Sequence, residues 1–204
     1  MLDETKHLFP PYEAEQVGWI NDCATQLGAK IQGLVLAAQI RLSSAFPSEH
    51  LNLRDAIERV VRDFDKTIGS SAQPVIIDVA ADMMVEFARF ELDSILVSLM
   101  DNAVKYADAT RPLQISLRAN VQDDQVRLRI SDNGTGLDGP RDSEKVFGLF
   151  PRAHKVPAGS GISLYCSRRM LVSRGGDITV DGTRGVGAVF KIRFPKQEAA
   201  KNDG

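Results

Sequence analysis

The sequence predicts an α+β fold: a two-layer α/β sandwich preceded by a long heptad-patterned helix. Three observations carry this expectation. Apolar residues recur at helical spacing early in the chain, strand-like alternation dominates the second half, and the alternating strands carry charge on one face only. A sheet with one wet face must bury the other against helices, which gives two layers.

The elements follow in order. Residues 1–11 are polar, end in Pro10-Pro11 and read as a flexible lead-in. Within 12–46, Val17, Ile20, Ala24, Leu27, Ile31, Leu34 and Ala38 recur at alternating spacings of three and four, the seam of a helix that needs a partner. A helical hairpin or a homodimer through residues 14–46 is expected, with Pro47 ending the helix. Residues 47–52 read as a linker. Asn52 is placed to cap a second helix that carries Leu53, Ile57, Val60, Val61, Phe64 and Ile68 on one face and stops at Gly69. Pro74 to Val79 reads as a strand. Leu92, Ile95, Leu96, Leu99 and Ala103 mark the buried face of a third helix. Residues 113–119 and 125–131 alternate as half-buried strands, with a turn at Gln122–Asp124. Ile162 to Arg174 form a helix stopped by Gly175-Gly176. Asp177–Asp181 and Ala188–Phe194 close the fold as strands. In the last strand Phe190, Ile192 and Phe194 share one face; Lys191 and Arg193 point the other way, as do Arg127 and Arg129. The globular unit is thus 50–195, followed by a polar, disordered tail at 196–204.

Composition narrows the function. A net charge of -2 over 204 residues gives no reason to expect nucleic-acid binding or direct membrane contact. The apolar run IQGLVLAAQI stops far short of a bilayer span, and no secretory signal opens the chain, so a cytoplasmic location is expected, at most as the cytosolic end of a membrane-bound sensor. Cys23 and Cys166 lack metal spacing and fit reduced structural thiols; His7, His50 and His154 share no ligand spacing, so no structural zinc is expected.

No P-loop occurs. Gly134, Gly136 and Gly139 satisfy G-x-G-x-x-G after a strand, but a dinucleotide fold needs a helix to open there, and Pro140 with a charged stretch follows instead. Another set of segments fits more of the chain. Ser98-Leu-Met-Asp-Asn102-Ala-Val-Lys105-Tyr106 is followed in order by Asp132-Asn-Gly134-Thr-Gly136, Phe147-Gly-Leu-Phe150-Pro-Arg152, Gly159-Ser160-Gly161-Ile162-Ser163-Leu164 and Gly185-Val-Gly187-Ala-Val-Phe190. In this order they resemble the boxes of the ATPase superfamily that includes gyrase, Hsp90, MutL and the histidine kinases. The box at Phe147 points to the sensor histidine kinases, and the resemblance covers residues 50–195.

The resemblance implies a sandwich of the Bergerat ATP-binding type, with ATP and Mg2+ as cofactors. Asn102 is the expected magnesium ligand: a neutral amide oxygen suits an ion that takes most ligands from phosphates and water. Lys105 contacts phosphate as a point charge, and Tyr106 lies against the nucleotide. Asp132 accepts from the adenine amino group, although Asp-Asn-Gly is equally good material for an Asx turn. Gly134 and Gly136 let the backbone approach the base. Residues 148–158 form a short lid whose Arg152 and Lys155 meet the triphosphate, while His154 reads as solvent-exposed. Gly159, Ser160, Gly161, Ile162, Ser163 and Leu164 open a helix whose free N–H groups hold phosphate. Ser163 stands where the family usually has a third glycine.

Ser98 is the informative departure. The ATP-hydrolysing relatives carry a Glu four before the magnesium Asn, which activates water. A serine has no useful basicity, so fast hydrolysis is disfavoured and phosphoryl transfer to an imidazole is favoured. Yet His7-Leu-Phe-Pro-Pro does not match the acceptor box, and its prolines would break the acceptor helix. The acceptor histidine is therefore not identifiable among these 204 residues. It is expected on a phosphoacceptor helix of the longer chain or of a partner sensor chain, with a response regulator receiver domain downstream. The alternative is a non-catalytic adaptor with a vestigial nucleotide site, acting by protein–protein interaction.

Overall fold

A computed structural model describes residues 46–68, 74–137, 145–148 and 162–196, with the side chains of 65–68 excepted. The expected lead-in, the heptad helix up to residue 45 and the tail from residue 197 lie outside the described residues.

Seven strands and three helices are present among them: β1 (Glu49–Asn52), α1 (Leu53–Ile68), β2 (Ile76–Asp78), β3 (Met84–Phe87), α2 (Arg89–Lys105), β4 (Ile115–Gln122), β5 (Gln125–Asp132), α3 (Ser163–Ser173), β6 (Asp177–Thr183) and β7 (Gly187–Arg193). The main sheet runs β2-β4-β5-β7-β6; β2 is parallel to β4 and the other neighbours are antiparallel. One face supplies Leu117, Leu128, Ile130, Ile178, Val180 and Ile192 to a core shared with Leu92, Ile95, Leu96 and Leu99 of α2 and Leu171 of α3. Among the described residues nothing covers the other face. This is the expected α+β sandwich.

Local chemistry explains the boundaries. Asn52 caps α1, its Oδ1 accepting from the Asp55 amide at 3.0 Å. Asp123 and Asp124 form the two-residue β4–β5 turn with φ of 54° and 59°, the left-handed pair that matches strand twist. Helix α3 ends in a Schellman motif: the Gly176 amide bonds the Leu171 carbonyl at 2.9 Å and the Gly175 amide bonds Val172 at 3.1 Å.

Two expectations need correction. Residues 47–52 are not simply a linker, because Glu49–Asn52 pairs antiparallel with Met84–Phe87. The strand expected over 74–79 is confined to Ile76–Asp78. The β1–β3 ribbon is four residues a side and joins segments far apart in sequence, so neither strand is long enough to show alternation. β2 is shorter than expected because its pairing with β4 covers only Ile76–Asp78.

The chain's entry into the domain is tied down by charge. Arg174, at the C-cap of α3, forms an ion pair with Glu91 in the first turn of α2, with side chains 13% and 4% exposed. Each charge sits at the helix end whose dipole favours it. Arg174 also donates to the Ser48 hydroxyl and the Phe46 carbonyl, both at 2.8 Å, and lies over the Phe87 ring. Phe46 in turn stacks on Phe90, ring centroids 5.1 Å apart.

Arg174→Met leaves Glu91 buried without its partner and is expected to lower the unfolding free energy by ~3–5 kcal/mol. Adding Glu91→Leu should recover most of that loss, as urea denaturation of the four proteins in the cycle will report.

Candidate functional site

The end of α2 carries Asn102, Lys105 and Tyr106. Ser98 and Asn102 are one helical turn apart, beside the apolar stripe that buries Leu92, Ile95, Leu96 and Leu99. The Asn102 amide nitrogen donates to the Ser98 carbonyl at 2.7 Å. That bond fixes the side chain and leaves Oδ1 without a donor among the described residues. The Ser98 hydroxyl is buried and has no hydrogen-bond partner among the described residues. Lys105 Nζ lies 5.1 Å from the centroid of the Tyr106 ring, a cation–π contact on a half-buried surface.

The end of β5 carries Asp132, and the following loop is joined to α2 backbone to backbone. The Thr135 amide donates to the Tyr106 carbonyl at 2.8 Å, and the Thr135 carbonyl accepts from Gly185 at 2.8 Å. A Cβ at position 134 would stand 2.3 Å from the Tyr106 oxygen, and one at 136 would stand 2.0 Å from the Thr183 oxygen. These glycines are needed for contact with the protein's own backbone, before any ligand enters. Gly187 completes the joint: its φ is +137°, and a Cβ there would lie 2.0 Å from the Asp132 carbonyl oxygen.

Asp132 Oδ1 accepts from the Gly134 amide at 2.9 Å, an Asx turn, and from the Ala188 amide at 3.3 Å. Oδ2 has no donor among the described residues. Burial raises the carboxyl above the ordinary carboxylate value, against the lowering effect of those two amides. The turn and a ligand contact are thus compatible, one oxygen for each.

Two residues that organise this loop were not anticipated. Asn133 accepts from the Gln114 amide at 2.8 Å and donates to the Pro112 carbonyl at 2.9 Å, stapling the segment before β4 to the loop. Arg111 donates to the carbonyls of Gly134 at 3.1 Å and Gly185 at 2.7 Å, and pairs with Asp108 at 3.4 Å. The Asp108 carboxyl is held below its ordinary value by the Thr110 hydroxyl and amide, with Arg111 adding to them. The only sequence hint was an arginine close before a strand that leads to the Asp132 loop.

Of the third group, Ile162 stands at the N-cap of α3 without a side-chain cap, Ser163 is exposed in the first turn, and Leu164 packs against the core. Arg152, Lys155, Gly159, Ser160 and Gly161 lie outside the described residues. Phe147 is buried beneath the Arg168 guanidinium, 5.2 Å from its ring centroid. The structure therefore joins the Asn102 and Asp132 segments directly and places Ile162 to Leu164 at the start of a helix packed against α2.

Comparison with known proteins gives concordant findings. Residues 88–198 match the family model for histidine kinase-, DNA gyrase B-, and HSP90-like ATPases. Sensor protein KdpD of Escherichia coli (strain K12) is 35% identical over 109 residues, 52% of this chain and 12% of KdpD. Sensor histidine kinase YvrG of Bacillus subtilis (strain 168) is 26% identical over 208 residues, 97% of this chain and 34% of YvrG. The chain thus spans 34% or less of the length of these relatives. In structure, the nucleotide-free catalytic domain of histidine kinase ThkA superposes with a TM-score of 0.63 at 23% identity, covering 74% of this chain and 99% of that one; the likeness is one of fold.

The raised Asp132 carboxyl has a stability consequence. A folded-state value above the unfolded one contributes stability at low pH that is lost as pH rises from about 4. Asp132→Asn keeps an oxygen for both amides and removes the buried charge. The ligand-free variant should melt above the parent at pH 7, with the difference closing toward pH 4, as thermal unfolding across that range will show.

Proposed function

We propose a function from one premise: the chain belongs to the family of histidine kinase-, DNA gyrase B-, and HSP90-like ATPases. Within it the chain carries the ATP-binding catalytic domain of a sensor histidine kinase. Our reading is that this domain binds Mg-ATP and transfers the γ-phosphoryl group to a histidine supplied by an acceptor helix, of the longer chain or of a partner sensor chain. A receiver domain is the proposed next acceptor.

The observation that carries this reading is the pairing of two unsatisfied oxygens on a rigid joint. Among the described residues, Asp132 keeps Oδ2 without a donor after Oδ1 has taken two backbone amides, and Asn102 keeps Oδ1 without one after its nitrogen is bound to Ser98. Asp132 Oδ2 suits the exocyclic amino group of adenine. Asn102 Oδ1 suits magnesium as a neutral oxygen ligand. Among the described residues no group of three or more His, Cys, Asp or Glu is arranged for a metal, so the residues fit an ion held chiefly by phosphate and water oxygens. When bound, that ion would neutralise charge on the phosphates. Lys105 adds a point charge, with its ammonium steadied over Tyr106. Arg152, Lys155 and the backbone of Gly159 to Leu164 are proposed to hold the remaining phosphate oxygens, as at other helix N-termini.

The reaction is an in-line displacement. An imidazole nitrogen forms a bond to the γ-phosphorus, the bond to the β–γ bridging oxygen breaks, and ADP leaves; the proton displaced from the imidazole passes to solvent. Protein catalysis is then positioning and charge neutralisation. Ser98 supports transfer over hydrolysis, because a buried hydroxyl with no partner base among the described residues cannot activate water. The adaptor alternative has less support, since the relatives matched are sensor kinases.

Asp132→Asn replaces the free acceptor with an amide donor facing a donor, and should weaken ATP binding by about a hundredfold while the fold is kept. Asn102→Asp should weaken magnesium-dependent binding alone. Titration calorimetry with and without Mg2+ separates the two. Phosphotransfer to an added acceptor-helix polypeptide tests the reaction, and bound nucleotide without transfer would reduce the chain to a binding module.

A further inference from the structure

The open face of the sheet carries charge that folding does not require. Cross-strand register sets Asp78, Arg118, Arg129, Lys191 and Thr179 in one row across the five strands. The next row reads Asn120, Arg127, Arg193 and Asp177. Arg118 is therefore directly opposite Arg129, Arg129 opposite Lys191, and Arg127 opposite Arg193. Directly opposed like charges destabilise a sheet. A polar face that served only solubility would alternate signs across strands, and here the central strands do not.

The acidic residues lie at the margins and engage Arg118, Arg127 and Lys191, which leaves Arg129 and Arg193 without a carboxylate partner among the described residues. Lys191 reaches Asp181, Arg127 pairs with Asp123 of the turn at 2.9 Å, and Asp177 is engaged by Arg168 of α3 at 3.5 Å. Arg118 and Asp78 are 3.9 Å apart on the exposed edge. Arg129, at the centre, is exposed and has no carboxylate partner among the described residues. Arg193 reaches only the Gly175 carbonyl, at 3.5 Å, among the described residues. The chain as a whole has a net charge of -2, so this positive centre is local. It also lines a broad depression, on the face of the sheet turned away from α2.

We propose that this face docks an acidic surface of another protein. Guanidinium groups in a fixed row take carboxylates bidentately, and the spacing of neighbouring strands, roughly 4.8 Å, suits successive side chains of a folded partner. A uniform polyanion fits less well. Asp78, Asp177 and Asp181 rim the patch and repel nucleic acid or an anionic bilayer, whereas a protein can set its own cations against them. The outward positions of these rows also carry no aromatic ring on which a base could stack. The inference does not depend on the kinase reading, because the face lies on the opposite side of the sheet from the helices.

The test uses the full chain and a fluorescein-labelled peptide with a glutamate-rich centre and lysine ends. The parent should bind it in a salt-dependent manner, and the Arg129→Glu/Lys191→Glu double variant at least tenfold more weakly, with ATP affinity unchanged. Arg129→Thr, which only relieves repulsion, should weaken the peptide and raise the melting temperature. Absence of peptide binding by the parent, or equal binding by the double variant, would overturn the proposal. So would tighter binding of a poly-dT oligonucleotide or of phosphatidylserine vesicles, lost in the same variants.

Discussion

The site depends on a contact that only glycine permits. Three backbone segments meet with almost no space between them: the end of α2 at the Tyr106 carbonyl, the loop after β5, and the β6–β7 turn from Thr183 to Gly187. Side chains at 134, 136 or 187 would force carbon to within 2.0–2.3 Å of a carbonyl oxygen, a gap that no rotamer change can relieve. Because main chain touches main chain, the positions of Asn102 and Asp132 relative to each other are set by covalent geometry and hydrogen bonds, not by flexible side chains. Arg111 and Asn133 reinforce the same joint by binding its carbonyls and amides. The half-buried charge on Asp132 is held in place by this frame. A site meant to discriminate a ligand must often keep a destabilising group ready for it, and the surrounding fold supplies the compensation.

The second constraint lies at the other end of the helix layer. Glu91 stands in the first turn of α2 and Arg174 at the end of α3, so the two packed helices run antiparallel. The start of α3, with Ile162 to Leu164, is thereby directed toward the end of α2, with Asn102 and Lys105. At ~1.5 Å per residue, the ion pair and Asn102 are roughly 16 Å apart along α2. The entering chain at Phe46 and Ser48 is attached at the ion-paired end, away from the proposed nucleotide contacts. One helix pair therefore fixes both where Phe46 and Ser48 are attached and where the proposed phosphate contacts of Ile162 to Leu164 lie.

Much of this was legible in the sequence, and the rest failed for physical reasons. Alternation located β4, β5 and β7 because each has one face in the core; the 3.6-residue period located α2 because its stripe is fully buried. Asn52 was read as a cap and acts as one. The β1–β3 ribbon escaped because four residues show no period and the pairing is non-local. The sequence marks Gly134 and Gly136 as places where backbone must come close to a neighbour; the structure adds that the protein's own backbone already requires this, because a sequence shows that Cβ must be absent, not which atoms lie in its place. Arg111, Asn133 and Arg174 were missed because their partners are backbone groups and charges distant in sequence, which no local motif encodes.

The turn of α2 from Ser98 to Asn102 shows how such a fold can separate ligand binding from the choice of reaction. The amide of Asn102 is oriented by the Ser98 main-chain carbonyl, not by the Ser98 side chain. Any residue compatible with a helix would present that carbonyl in the same place, since the i to i−4 relation is a property of the helix. Position 98 can therefore carry a carboxylate base or an inert hydroxyl without moving the proposed metal ligand. With serine there, its oxygen buried and unpartnered among the described residues, position 98 itself supplies no base for a water molecule. On the proposed function, such a frame positions a phosphoryl group for a nucleophile that needs no such help, an imidazole arriving from outside the domain.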